Sequence, residues 1–290
     1  IGIILIGIGL SMVFIGSGHP VAGALGLIAG LYHTLNHAVF KGLLFLGAGA
    51  ILKSTGLRNL NEMGGLIRHL PHTALYFLIG ALAISALPPL NGFVSEWLTF
   101  QASLQAPLLE SNVVRSLVPI AAAVLALSGA LTGMCFVKVY GIAFLGQQRH
   151  EFAQPPREAS GWERAGMLWL AAACFVLGLF PVFMIGELNK VSLALVKTGL
   201  SEEAMAGWLW LAPTSSAQAS YSPVVFLLVI AAVFGLTVLV VRIVYHGRIR
   251  RADPWDCGFP AQTPRMQDSA DAFGQPIRQI FAPVYLIHRE

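Results

Sequence analysis

Charge is scarce in this chain of 290 residues: Asp, Glu, Lys and Arg together make up 11%. Soluble domains average about 25%, so an ordinary water-facing shell is excluded. Cysteine is scarcer still. Cys135, Cys174 and Cys257 lie far apart with no Cys-x-x-Cys pair, which offers no framework for disulfides, zinc or an iron–sulfur cluster. A His-x₃-His spacing is present, but no carboxylate stands near it and lysine is not a ligand, so a metal site is not indicated. Nucleic-acid motifs are also lacking. The net charge of +4 is more simply read as loop cations flanking membrane helices. No metal, cofactor, nucleic-acid partner or catalytic centre is expected in this chain.

What remains is apolar. Hydrophobic residues make up 56%, and several runs reach the ~20 residues that cross a hydrocarbon core. The expected fold is an all-α, polytopic membrane helix bundle of about six transmembrane helices, one of them discontinuous. The segments are 1–17, 21–52, 73–104 (interrupted by ALPPLNG at 86–92), 115–145, 166–186 and 223–245. The second exceeds one bilayer thickness, so it must tilt, protrude or begin as a loop. The chain opens on Ile1 inside an apolar run, without the basic region of a signal peptide; it reads as a piece of a longer protein.

Lysine and arginine set the orientation. Loop 53–72 holds Lys53, Arg58 and Arg68, loop 146–165 holds Arg149, Arg157 and Arg164, and seven more follow from Arg242 onward. The other side has only Arg115, Lys190 and Lys197. The bias places both loops and the tail in the cytoplasm, in a cell inner (plasma) membrane. Trp208 and Trp210 suit an aromatic belt at the opposite interface. The tail, 246–290, is polar, basic and rich in proline.

Three charges stand inside apolar segments: Lys41, Glu96 and Lys138. Each costs about 2.5–3.5 kcal/mol at a helix centre, and residues that expensive usually face a bundle interior or water. His33, His37 and Lys41 recur every four residues, so one helix face carries all three, about 6 Å apart. Imidazole exchanges protons near neutral pH, and such a row, with Tyr32 and Asn36 beside it to hold waters, suits proton or cation transfer. The bland alternative is hydrogen bonding between helices. Pro88, Pro89 and Gly92 should break the third segment, and broken backbone at membrane depth lines a cavity. Glu96 then falls near the start of the second half-helix, where the helix end favours a negative charge that burial opposes. Lys138 either joins the pathway or snorkels to the interface.

YHTLNHAVFKGLLFLGAGAI (32–51), LRNLNEMGGL (57–66) and ALPPLNGFVSEWL (86–98), in that order, resemble the antiporter-like proton-pumping membrane subunits of complex I, Mrp antiporters and group 4 [NiFe] hydrogenases. The resemblance implies a proton half-channel over residues 1–145, with His33, His37, Lys41 and Glu96 in it and Lys138 matching less firmly. Hydropathy and the lysine and arginine bias add further transmembrane helices over 146–245 and a basic cytoplasmic-face tail over 246–290. The tail sequence DPWDCGFPAQTPRMQDSADAFGQPIRQIF (253–281) is similar to the group formed by the large membrane subunits of hydrogenase-4 and formate hydrogenlyase. Expected partners are other membrane subunits, a peripheral [NiFe] hydrogenase and iron–sulfur arm, and the lipid bilayer. Rival expectations are a sodium/proton antiporter subunit and a membrane anchor that moves nothing.

Overall fold

The computed structural model describes residues 1–200, 207, 209–213, 220–245 and 263–283. Trp208, Cys257 and the rest of the tail lie outside the described residues. Among those described, the chain forms nine α-helices and no strand. It is an all-α multi-pass membrane bundle: four helices are long and apolar enough to cross a bilayer, and two shorter apolar ones accompany them.

Helix α1 (Gly2–Gly16) and helix α2 (Pro20–Thr55) pair through small residues. A Cβ at Gly7 would stand 2.8 Å from the Gly30 Cα, and one at Gly26 would stand 2.9 Å from the Ser11 nitrogen. Only glycine lets the two backbones approach so closely, as in membrane helix pairs generally. Pro20, at the first helical position, suits the start of α2. Gly56, with φ 72°, ends it and donates its N–H to the Leu52 carbonyl. The 36 residues of α2 span about 54 Å. The long second segment is thus helical throughout and outruns the ~30 Å core.

The third expected segment is two helices, α3 (Pro71–Ile84) and α4 (Asn91–Ser103), with Pro88 and Pro89 in the gap. Gly92 is already inside α4, and conformational freedom is not its use. A Cβ there would meet the Ala83 carbonyl oxygen at 1.9 Å, so glycine lets the two half-helices lie against each other. Helix α5 (Asn112–Phe144) begins on a Ser111 cap and continues past Pro119. Helix α6 (Gly161–Leu179) opens with a capping box between Ser160 and Glu163.

The expected fifth span, 166–186, is interrupted. Helix α6 stops at Leu179, and Pro181, which has no N–H to donate, starts α7 (Pro181–Val196). Among the described residues, helix α8 (Pro223–Val244) buries only its first proline, leaving an apolar surface for lipid or another subunit. Helix α9 (Ala270–Phe281) belongs to the tail.

The cores join residues on both sides of the boundary expected at residue 145. One contains Phe40 and Leu43 of α2, Ala83 of α3 and Met167, Ala171 and Cys174 of α6. Another joins α1, α2 and α4 to Ile185 of α7. Loops 53–72 and 146–165 meet at one end of the bundle, where Gln267 of the described part of the tail also bonds to Gln147. There Gly65 donates to the Leu145 carbonyl at 2.8 Å, and Ser54 donates to the Arg157 carbonyl at 2.8 Å.

Candidate functional site

Helix α2 carries His33, His37 and Lys41 in one row, as four-residue spacing requires. The imidazole centroids of His33 and His37 are 6.2 Å apart, and Phe40 packs edge-on to both rings. Burial falls along the row. His33 is 2% exposed, whereas His37 and Lys41 are half-buried.

The row meets the broken helix through a residue absent from the expected set. Ser95 Oγ lies 2.9 Å from His33 Nδ1, and the same hydroxyl is 3.1 Å from the Gly92 carbonyl oxygen. Serine in a helix commonly bonds back to the carbonyl of the preceding turn, which fixes Ser95 where it faces α2. Nothing in the sequence singles out Ser95; four-residue spacing from Asn91 and to Thr99 is the available signal. Thr99 and Ser103 continue that polar face, donating to the carbonyls of Ser95 at 3.0 Å and Thr99 at 2.9 Å.

Tyr32 and Asn36 do not stand free to hold waters. The Tyr32 hydroxyl donates to the Leu177 carbonyl of α6. Asn36 Nδ2 donates to the Asn91 carbonyl at 2.9 Å, and Asn91 Nδ2 donates back to Asn36 Oδ1 at 3.3 Å. The Leu177 carbonyl is in the last turn of α6, where carbonyls lack an intrahelical donor, and the Asn36–Asn91 pair gives buried polar groups at the start of α4 partners. Asn91 Oδ1 is buried and has no partner among the described residues.

Gly178 of α6 seals the break from the other side. A Cβ there would lie 2.2 Å from the Pro89 carbonyl oxygen and 2.8 Å from the Asn91 nitrogen. Tyr32 and Gly178 together hold the end of α6 against the gap between α3 and α4.

Glu96 is one residue beyond Ser95 and faces a different helix. It is 8% exposed, and its Oε2 lies 3.7 Å from where a Cβ would stand on Gly129 of α5. The residue sits in the second turn of α4, because the helix restarts at Asn91 rather than at the prolines. Among the described residues its carboxylate has no hydrogen-bond or ion-pair partner. Gly129 also lines a mostly apolar cleft of about 580 Å³ between α3 and α5, with Ser85, Gly133 and Tyr140 among its walls. The structure thus brings His33 to the helix that bears Glu96 without direct contact between the two.

Lys138 is not gathered into this cluster. It lies nine residues beyond Gly129, about 13 Å along α5. There it lines a separate cavity of about 520 Å³ with Met134, Ile142, Arg149, Gln267 and Asp268. Among the described residues, no group of His, Cys, Asp and Glu could hold a metal ion.

At the basic end, the Glu158 carboxylate caps α3 from outside the helix. It accepts from Thr73 Oγ1 at 2.6 Å and from the His72 and Ala159 N–H groups at 2.8 and 2.9 Å. Burial pushes this carboxyl up, but those hydrogen bonds together outweigh it and hold it below the ordinary glutamate value.

Residues 8–118 match the protein family described as NADH:quinone oxidoreductase/Mrp antiporter, TM. Over its whole length the chain is 36% identical to "Hydrogenase-4 component B" of Escherichia coli (strain K12), covering 43% of that protein. It is 34% identical to "Formate hydrogenlyase subunit 3" of the same strain, again over the whole chain and 45% of the relative. A chain of the membrane-bound sulfane sulfur reductase, an archaeal respiratory membrane complex, shares the fold with a TM-score of 0.69. That match has 24% identity and covers 97% of this chain and 46% of the other. The chain spans a little under half the length of the relatives it matches.

Proposed function

Because the chain belongs to the NADH:quinone oxidoreductase/Mrp antiporter transmembrane family, we propose that it is part of a proton-translocating membrane subunit. The complex would be of the hydrogenase-4 or formate hydrogenlyase type, with redox chemistry in partner subunits. Residues 1–145 hold a half-channel in which His33, His37, Lys41 and Glu96 change protonation, and Lys138 exchanges protons farther along α5. The helices of 146–245 brace it, and the 246–290 tail lies on the cytoplasmic face of the inner membrane with loops 53–72 and 146–165. Other membrane subunits and a peripheral [NiFe] hydrogenase and iron–sulfur arm are the partners. Similarity to the hydrogenase-4 and formate hydrogenlyase relatives continues beyond residue 118, where the family match ends, which supports that group over complex I.

The observation that carries this reading is the His33–Ser95 contact. It ties a histidine–lysine row to a broken membrane helix whose next residue is a buried, unpartnered carboxylate. Two charge-bearing elements are expensive to keep in an apolar bundle, and the bundle joins them at one point. A pathway needs that junction.

The test is Glu96→Gln in the intact complex, measured as proton movement per turnover in sealed vesicles. Redox turnover and assembly should persist while proton movement falls sharply. Undiminished coupled pumping would remove Glu96 from the pathway. A sodium/proton antiporter subunit is the second reading, since the family's description includes the Mrp antiporters. A strict sodium requirement for ion movement would favour it.

A further inference from the structure

Tail residues more than a hundred positions away in sequence are fastened into the wall of the cavity that Lys138 lines. The Gln267 side-chain amide makes two of the bonds, both to one residue. Its Oε1 accepts from the Gln147 N–H at 2.8 Å, and its Nε2 donates to the Gln147 carbonyl at 2.8 Å. The amide thereby copies a rung of a β-ladder, two bonds from one planar group.

Loop shape makes room for it. Gly146 has φ 73°, and a Cβ there would stand 2.3 Å from Gln267 Oε1. Gly64 is similarly constrained, since a Cβ would stand 2.3 Å from the Gln147 carbonyl oxygen.

Further bonds hold the segment from Gln267 to Asp271. Arg149 donates to the Met63 carbonyl at 3.1 Å, to the Gln267 carbonyl at 3.4 Å and to the Asp268 carbonyl. Asn61 donates to Asp271 Oδ2 at 3.1 Å and accepts from the Ala270 N–H at 2.8 Å. The LNEMGG loop, the end of α5 and the tail are thus one polar assembly.

Beneath it lies the cavity of about 520 Å³, with Lys138, Arg149, Gln267 and Asp268 on its polar side. Its apolar wall includes Ile142, which is 5% exposed. Polar fastenings at a surface open locally at low cost compared with a packed core. A cover held this way is suited to opening.

We infer that residues 267–271 form a clasp over this cavity, with Gln267 as the positioning residue that sets how readily water reaches Lys138. The inference rests on the proposed function, in which Lys138 exchanges protons. It adds that exchange is governed by a segment far away in sequence. Release of the clasp widens the path from the loop-side water to Lys138, which is half-buried with the clasp fastened; fastening narrows it.

Two measurements in the intact complex, in sealed vesicles with the loop side outward, test this. The first is independent of pumping. A cysteine is placed at Ile142, and labelling by a membrane-impermeant maleimide is compared with and without Gln267→Ala, after subtraction of the signal without Ile142→Cys. Loss of two hydrogen bonds should raise labelling by roughly tenfold. Asn61→Ala, which releases the other end of the clasp, should act in the same direction. Unchanged labelling in both variants overturns the clasp, whatever the state of pumping.

The second measurement compares the effect of Gln267→Ala on proton translocation in the native chain and in a Lys138→Met background. An effect present in the first and absent in the second supports the inference, because a merely structural role would lower both alike. An equal effect in both backgrounds, or none in either despite increased labelling, overturns the link to Lys138.

Discussion

His33 Nδ1 and Ser95 Oγ lie 2.9 Å apart, joining the middle of α2 to the second half of the broken helix. Both residues are buried, so removing one leaves the other without that partner in an apolar interior. Ser95→Ala should destabilise the subunit by about 1–3 kcal/mol and slow proton translocation, while Ser95→Thr, which keeps a hydroxyl, should retain more of both. Thermal unfolding and proton movement in the purified complex check this. Native rates in Ser95→Ala would show that the junction does not matter to transfer.

Gly178 offers a packing test with an internal control. A methyl group at Gly178 would lie 2.2 Å from the Pro89 carbonyl, while one at Gly166 on the same helix would lie 3.8 Å from its nearest neighbour, Leu46 Cδ1. Overpacking against backbone costs about 1–3 kcal/mol, whereas Gly→Ala in an open helix position gains roughly 0.5–1 kcal/mol. Gly178→Ala should therefore lower the unfolding temperature and weaken translocation by moving α6 off the break. Gly166→Ala should be neutral or stabilising. Identical behaviour of the two variants would refute the close approach.

Much of this architecture is legible in the sequence, for a plain reason. Apolar runs long enough to cross a bilayer announce themselves by composition, and the cost of Lys41 or Glu96 in such a run marks them without any structure. The location of the break is equally legible, since Pro88 and Pro89 cannot continue a helix. Ser95, Gly129 and Gly178 are not legible. A serine or glycine costs little in a membrane helix, so its importance comes entirely from what packs opposite it. Tyr32 and Asn36 stand out in the sequence but read as holders of water, because a single sequence does not reveal that Leu177 and Asn91 present them with partners. The split at Pro181 is hidden by hydropathy that continues through the residues on either side.

Glu158 gives a pH-dependent expectation. Its carboxyl is held below the ordinary value in the folded chain, so its contribution is fully present above the unfolded value of about 4.3. That contribution is lost as pH falls through the lower folded value. Thr73→Val removes the 2.6 Å hydroxyl bond and should raise the folded carboxyl toward ordinary glutamate. Unfolding temperatures measured from about pH 6 down to about pH 3 should then fall less steeply in the variant than in the native chain. Parallel curves would mean that Glu158 does not cap α3 in the way its hydrogen bonds indicate.

Gly129 tests whether the space beside Glu96 matters. An added Cβ there would sit 3.7 Å from Glu96 Oε2, an ordinary contact distance, so Gly129→Ala should fold and assemble normally. The methyl would nevertheless occupy the edge of the α3–α5 cleft next to the carboxylate. At Gly133, one turn away on the same helix and lining the same cleft, an added Cβ meets nothing within 4 Å. Both changes raise helix propensity equally, so a difference between them reports on Glu96 rather than on α5. Proton translocation should fall several-fold in Gly129→Ala and stay unchanged in Gly133→Ala, at equal assembly. Equal rates in the two would mean that transfer through Glu96 does not use the side of the carboxylate that faces α5.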